Sequence, residues 1–312
     1  MALSLIPARS FPVCLREPSS ALFSSSSILM ISKTTFLLAL HFVFLPMTVF
    51  YTESLITSLT PKYYKGILIN YKKINKMEFH PNKCQLLKIT NKRDPIKANY
   101  TIHNTILQEF NSAKYLGVTI DNILNWNEHS NNVYKKASFM LSFLERNFYR
   151  CPPNVKENLF NALVRPLLEY GCCAWDPYRK TQINKLELIN KRAARFVTGN
   201  FKRVHGNSEK NMKSLDWSSL SERRSKNKLI MFYKIHSNEV HISADEMIQS
   251  KRKPLNYLVP YSALDCHLHS FYPSTIRLWN SLPVSTKSSS SVTAFKSSLD
   301  KLKTTTKSLY NN

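Results

Sequence analysis

Basic side chains are the residues of this sequence best suited to bind a ligand. Residues 185–234 contain 13 lysines and arginines against 4 acidic residues. Lysine and arginine neutralise phosphates and release their counterions, so this excess favours phosphate binding. A solvated helix face would contain the same residue types, and this alternative stays open here. The candidate phosphate ligands of the region are Lys185, Lys191, Arg192, Arg195, Lys202 and Arg203.

The charge of the whole chain indicates the same class of partner. The 312 residues carry a formal net charge of +24, with a sequence pI near 9.8. Such a balance raises the affinity for polyanions, for nucleic acid before acidic membranes. It identifies no small-molecule substrate.

The cysteines and histidines form no pattern for metal binding or nucleophilic catalysis. The six cysteines include no C-x-x-C, and the neighbours Cys172 and Cys173 are poorly placed to ligate one metal. The segment 266–269 is too compressed for a zinc finger without a second ligand pair. His129, alone at the start of a predicted helix, is expected to be structural. We predict reduced thiols in an intracellular protein, with no catalytic residue, metal site or cofactor.

Two helices in the middle of the chain are predicted to position the basic residues. Val155, Leu159, Ala162, Leu163, Leu167 and Tyr170 recur at steps of three and four, which predicts one buried helix face. Pro166 inside this pattern predicts a kink or a break. The same spacing runs from 181 to 197, and Gly199 follows where a C-terminal cap is expected.

Strands are predicted before this pair of helices. They are residues 85–89, 100–107 and 114–120. A helix capped by Asn125 or Asn127 is then expected to run to about Asn147. Its inward residues are Val133, Ala137, Met140, Leu141 and Leu144, and Lys135 and Lys136 point outward.

After the pair of helices, residues 201–214 are predicted to form a surface loop. Ser219 and Glu222 fit a capping box for a helix to about residue 237. Trp279 and Leu282 are expected to pack in a core rather than stack on bases. Residues 285–291 are predicted to be a flexible link before a short final helix. The fold class is therefore α+β and mainly α, with strands within residues 85–120, a helical bundle and an irregular tail.

The N-terminal residues 1–61 have a different character and are expected to lie outside this fold. Residues 28–51 are an apolar stretch that reaches the length of a membrane span only if Lys33, His41 and Pro46 are tolerated. A transmembrane segment is therefore one interpretation of residues 28–51. The other interpretations are a disordered leader and noncoding sequence read as protein.

Several motifs carry a resemblance by their order and spacing. They are residues 79–84 (Phe-His-Pro-Asn-Lys-Cys), 114–117 (Lys-Tyr-Leu-Gly), 163–170 (Leu-Val-Arg-Pro-Leu-Leu-Glu-Tyr), 174–178 (Ala-Trp-Asp-Pro-Tyr), 191–197 (Lys-Arg-Ala-Ala-Arg-Phe-Val) and 277–283 (Arg-Leu-Trp-Asn-Ser-Leu-Pro). Together they resemble the region after the polymerase palm in reverse transcriptases of jockey-like non-LTR retrotransposons. His80 stands where that family usually has Asn.

The resemblance covers about residues 77–303 and implies an organisation. Residues 62–125 would be the end of the palm, 126–240 a thumb-like helical region, and 241–312 a C-terminal tail. The Lys-Tyr-Leu-Gly hairpin strand grips the primer end in such polymerases. The resemblance therefore implies nucleic-acid contacts by Lys83, Lys114, Leu116 and Gly117.

Missing carboxylates limit the activity that the resemblance implies. The full-length family uses Mg²⁺ held by clustered aspartates, including an Asp-Asp pair, whereas the seven aspartates here stand singly. We expect a truncated remnant of an RNA-directed DNA polymerase, in nucleus or cytoplasm, that at most binds an RNA or DNA template–primer. Two alternatives stay open: a membrane-anchored basic protein, and a non-functional pseudogene product.

Overall fold

A four-stranded parallel sheet begins the architecture. The computed structural model describes residues 29–31, 48–52, 84–89, 99–102, 104–202, 204–240, 247–253 and 255–305, with the backbone alone at 29–31, 48–52 and 303–305. Strands β1 (Leu29–Ile31), β2 (Thr48–Thr52) and β3 (Gln85–Ile89) pair in parallel in that order. β6 (Glu109–Phe110) completes the sheet beside β3.

The sheet corrects the expectation that the N-terminal apolar segment lies outside the fold. Val49 and Phe50 stand in register with Leu86 and Leu87 of β3. A continuous apolar run fits a buried strand as well as a helix, so hydrophobicity could not separate the two. In the described part of the chain no helix is both long and apolar enough to cross a membrane. Most of the candidate span, residues 28–51, lies outside the described residues.

Two small hairpins replace the longer strands predicted at 100–107 and 114–120. β4 (Thr101–Ile102) pairs with β5 (Thr105–Ile106), and β7 (Ser112–Tyr115) pairs with β8 (Val118–Asp121). The β7–β8 turn has φ values of 44° at Leu116 and 86° at Gly117. Positive φ at both central residues matches the twist of the flanking strands. The prediction of a single strand at 114–120 was therefore wrong. The sequence gives no sign of the turn, because leucine is not a residue type that favours positive φ.

The first long helix, α1 (Asn127–Asn147), begins beside the predicted asparagines, but its N-cap residue is Trp126, which has a left-handed conformation and makes no side-chain cap hydrogen bond. The Asn125 side-chain oxygen accepts the Asn127 backbone N–H at 2.7 Å. Val133, Ala137, Leu141 and Leu144 are buried on its inner face. Met140 is half-buried against the same core.

Pro166 is accommodated by one widened turn in the next helical stretch. α2 (Pro153–Leu159) runs into a π-helical turn at Phe160–Val164, and α3 (Arg165–Glu169) follows. In that turn the Arg165 N–H reaches the Phe160 carbonyl, one residue further back than in an α-helix. The widened turn relieves the clash between the proline ring and the preceding turn.

The widened turn also changes which face is buried. Phe160, Val164 and Leu168 are fully buried, whereas Val155, Leu163 and Tyr170 of the predicted stripe are exposed. The predicted buried face was therefore wrong by one residue. The stretch is apolar on several sides, and the π turn inserts a residue into the regular spacing that the prediction used.

The second central helix agrees with its prediction. After α4 (Cys172–Trp175), α5 spans Lys180–Thr198 and ends at Gly199, whose φ is 66°. Leu186, Ile189 and Ala193 are buried in the core that also contains residues of α1 and β7–β8. Trp175 is fully buried in the same first core.

A helix occupies part of the predicted surface loop at residues 201–214. α6 spans Asn207–Ser214 and packs on α5. Asn200 donates from its amide nitrogen to the side-chain oxygens of Asn207 and Asn211 at 2.9 and 3.0 Å. Asn211 donates back to the Asn200 carbonyl at 3.0 Å. Buried amides rather than an apolar stripe hold α6, so hydrophobic periodicity could not reveal it.

α7 (Leu220–His236) joins the first core to a second one. Both halves of the capping box are present, because the Ser219 side chain accepts the Glu222 N–H and Glu222 accepts the Ser219 N–H. Leu220 packs in the first core, and Leu229, Phe232, Tyr233 and Ile235 pack in the second. The apolar side chains of this helix therefore contribute to both cores.

The second core is closed by the C-terminal helices. They are α8 (Asp265–Leu268), α9 (Phe271–Ser281), α10 (Val284–Lys287) and α11 (Val292–Thr305). Trp279 and Leu282 are buried, as expected. The predicted link at 285–291 contains part of α10, where Lys287 is buried and donates to the Asn256 side chain at 2.7 Å. That buried contact is long-range, so the serine-rich composition gave no sign of it.

Candidate nucleic-acid interface

A groove of about 530 Å³ opens between the β7–β8 hairpin and α1. The hairpin, α1 and the α3 region all contribute to its walls. Its lining consists of Lys114, Gly117, Thr119, His129, Asn132, Val133, Lys135, Lys136, Leu167 and Tyr170. Three of these residues are exposed lysines, and none carries a carboxylate. The groove is therefore a concave surface of positive charge with polar and aromatic walls.

Tyr170 holds the tip of the hairpin at the edge of the groove. Its hydroxyl donates to the Leu116 carbonyl at 2.9 Å. A Cβ added to Gly117 would lie 3.3 Å from the Tyr170 ring, so glycine meets both the close approach and the positive φ. These contacts fix the backbone of the turn relative to α3.

His129 supports the floor of the groove. Its Nδ1 accepts the Thr119 backbone N–H at 3.0 Å, and its ring meets Trp175 edge-on at a centroid distance of 4.6 Å. Burial, followed by the charge of Lys136, lowers the pKa of His129 to about 4. The imidazole is therefore neutral at neutral pH and joins β8 to α1. Its expected structural role is confirmed.

The basic residues predicted on α5 are mostly engaged within the protein. Arg192 makes a forked pair with Glu145 and also donates to Ser142 at 2.8 Å. Lys191 pairs with Glu209 at 2.6 Å. Lys185 donates to the Asn131 side chain at 2.6 Å and lies 4.9 Å from the Tyr134 ring centroid. These three side chains therefore cross to α1 or α6 instead of facing solvent freely.

The other predicted ligands are distributed more widely. Arg195 is half-buried on α5, and Lys202 is exposed after it. Leu116 lines a separate cavity of about 380 Å³ on the other side of the hairpin. Lys83 and Arg203 lie outside the described residues. Of the predicted set, the structure brings Lys114 and Gly117 together in the groove.

That separate cavity contains the adjacent thiols of Cys172 and Cys173. Their mutual hydrogen bond lowers the pKa of the Cys172 thiol and raises that of Cys173. The Asn227 side chain also donates to Cys172 Sγ at 3.5 Å. Within the described part of the chain, no group of three or more histidine, cysteine or acidic residues is arranged to hold a metal ion.

Two curated proteins are similar to part of this chain. One is the RNA-directed DNA polymerase from mobile element jockey of Drosophila melanogaster, 22% identical over 104 residues, which are 32% of this chain and 11% of that protein. The other is a probable RNA-directed DNA polymerase from transposon BS of the same organism, 26% identical over 121 residues, or 38% of this chain and 13% of that protein. Over about a third of its length the chain is similar to these jockey-type reverse transcriptases. No family model and no solved structure matches it.

The relation to these polymerases confirms the resemblance that the motifs predicted. The matched stretches span about an eighth of each polymerase. Lys135 and Lys136 are predicted to lie on the outer face of α1, but they are not among the predicted ligands. Tyr170 had been assigned to a buried face. The sequence contains one sign that Tyr170 could be exposed. Tyr170 directly precedes Gly171, and helices commonly end just before a glycine in the left-handed conformation, so Tyr170 stands at the end of α3 rather than within its buried face.

Proposed function

We propose that this chain binds nucleic acid, as a template–primer, through the groove between the β7–β8 hairpin and α1. The observation that carries the proposal is the convergence of Lys114, Lys135 and Lys136 on one concave surface without a carboxylate. The relation to RNA-directed DNA polymerases supports nucleic acid as the polyanion. Under this proposal, β7–β8 corresponds to the hairpin that grips the primer end in such polymerases, and α1 begins a thumb-like region.

The proposed activity is binding without nucleotide transfer. Two-metal polymerases hold their ions with clustered carboxylates, and this chain contains no adjacent pair of aspartates. The groove lysines would instead contact phosphates. Backbone N–H groups can add contacts that fix the register of the nucleic-acid backbone.

Removing the groove charges should weaken binding and its dependence on salt. We expect the double substitution Lys135→Gln, Lys136→Gln to lower the affinity for a primer–template duplex. Each lost phosphate contact lowers the slope of log K against log salt by about 0.9, so the double variant should lose about 2. The measurement is fluorescence anisotropy with a labelled duplex across a salt series.

The matched control is Lys251→Gln, Lys253→Gln. Both of these lysines are exposed in a loop outside the groove, and their substitution removes the same net charge. The control should change the slope by less than half as much. Equal effects of the two double variants would show that net charge, rather than the groove, governs binding, and would overturn the proposal.

A further inference from the structure

Beyond the groove, the outer face of α1 carries exposed aromatic rings. Phe139 is 70% exposed and Phe143 is 43% exposed. Tyr149, just after the helix, is 58% exposed. We call these three residues the aromatic stripe. Aromatic rings on a helix usually pack into the protein core. A group of exposed rings along one helix and its end therefore indicates a binding surface.

The aromatic stripe is continuous with the groove. Lys135 and Lys136 line the groove and stand one turn before Phe139 on the same exposed face of α1. Residues three and four apart are neighbours on a helix surface, so Phe139 adjoins both lysines and Phe143. A ligand leaving the groove along α1 therefore meets the stripe next.

The basic residues around the stripe indicate that its ligand is a polyanion. Lys135, Lys136, Arg146 and Arg150 are interleaved with the three rings. Glu145 is the single acidic residue between positions 135 and 150, and it is already paired with Arg192. Arg150 also lies over the Tyr149 ring, 5.3 Å from its centroid. A protein partner would be expected to meet a less strongly basic apolar face.

We propose that the aromatic stripe binds the single-stranded part of the nucleic acid whose duplex part occupies the groove. This inference rests on the proposed function and extends it by naming the form of the ligand. In a duplex the base faces are covered by their neighbours, whereas unpaired bases can stack on aromatic side chains. Basic grooves with such rings are typical of proteins that bind single strands without sequence preference.

The spacing of the rings fits an extended strand. Four residues along an α-helix correspond to a rise of about 6 Å between Phe139 and Phe143. Bases stacked in a duplex are about 3.4 Å apart. The two rings are therefore too far apart to stack on neighbouring bases of a continuous base stack. Their spacing fits an extended strand in which each ring stacks on one separated base.

The test compares three nucleic-acid ligands of equal length: a duplex, a single strand, and a duplex with a single-stranded overhang. The variant Phe139→Ser, Phe143→Ser removes two rings and no charge. Its control, Leu188→Ser, Tyr261→Ser, removes two exposed apolar side chains elsewhere. We expect the stripe variant to bind the single strand and the overhang at least tenfold more weakly, because stacking contributes about fivefold to a hundredfold per base and two rings are lost. Duplex affinity should stay within about twofold.

A second variant reports stacking directly. In Phe139→Trp, the added indole should keep the affinity for the single strand and lose fluorescence when it binds, because a base stacks on it. Retained affinity without any loss of this fluorescence would overturn the inference. So would equal affinities of the stripe variant and its control for the single strand.

The outcomes separate this inference from the proposed function. If the groove variant loses duplex affinity while the stripe variant binds every ligand normally, the inference fails and the proposed function stands. If the wild-type chain binds none of the three ligands, both fail. If the stripe variant instead abolishes self-association of the chain, the stripe is an interface between copies and the inference is overturned.

Discussion

His129 shows how a single buried residue ties the groove to the stability of the fold. Its ring is nearly inaccessible, and the pKa of about 4 lies below the value of 6.5 expected in the unfolded chain. The unfolded state therefore binds more protons between these two pH values, and stability falls as pH drops from 6.5 to 4. Above pH 6.5 this contribution is fully present. The shift corresponds to about 3 kcal/mol at most.

We expect His129→Asn to remove this pH dependence. The Asn side-chain oxygen can replace Nδ1 as acceptor of the Thr119 N–H, but it does not titrate. Urea unfolding of both proteins at pH 7.5, 6, 5 and 4.5 measures the difference. His236 and His269, whose pKa values are also lowered by burial, contribute equally to both curves and cancel. Parallel curves for the two proteins would contradict the prediction.

Residue types alone do not show which basic side chains are free to bind a ligand. Arg192 and Lys135 are both surface-type cations on amphipathic helices. Arg192 is engaged because α1 and α5 pack together and bring Glu145 within reach, whereas Lys135 faces the groove. Ion pairing of this kind depends on tertiary contacts between residues 47 positions apart. Composition therefore predicts a basic protein correctly. It does not predict which of the basic side chains are accessible to a ligand.

Among the elements, α7 has the most explicit start signal. Ser219 and Glu222 satisfy two backbone N–H groups that a bare helix terminus would leave without partners. We expect Ser219→Ala to lower the free energy of unfolding by about 1 kcal/mol. Ser221→Ala, two residues further on, is the control because it leaves the capping box intact. Thermal unfolding of both variants measures the difference, and equal shifts in Tm would contradict the role of the cap.

Elements with local signals were predicted well, and elements held by long-range contacts were not. α5 and α7 have caps at their ends and apolar spacing along their length, so their bounds agree with the structure to within one or two residues. α6 depends on amide contacts with Asn200. The β7–β8 turn depends on a leucine with positive φ, which sequence rules assign to glycine or asparagine.

At the scale of the whole molecule, Asp176 joins the two cores. It follows α4 in the first core and pairs with Arg224 at 2.7 Å and with Lys228 at 2.6 Å, both on α7. Lys228 also donates to Ser274 of α9, in the second core, at 3.3 Å. Burial alone would raise the pKa of the Asp176 carboxyl, but the charges of Lys228 and Arg224 hold it below its ordinary value. Tyr178 stacks on His269 beside this network.

Loss of the Asp176 charge should destabilise the molecule strongly. Asp176→Asn keeps the volume but leaves the buried cations Arg224 and Lys228 without a counter-charge, which costs about 3–5 kcal/mol. Asp300→Asn is the matched control, since Asp300 pairs with Lys226 of the same helix at the surface. Such exposed pairs contribute about 1 kcal/mol or less. Urea unfolding measures both variants, and similar losses would contradict a special role for Asp176.

A triple replacement separates the loss of the ion pairs from the exposure of uncompensated charge. Asp176→Leu, Arg224→Met, Lys228→Met removes all three charges and replaces them with apolar side chains. Because desolvation offsets much of the attraction within a buried ionic network, the triple variant should recover most of the stability that Asp176→Asn loses. If it stays as unstable as the single variant, the ion pairs themselves, rather than the unpaired cations, determine how firmly the two cores are joined.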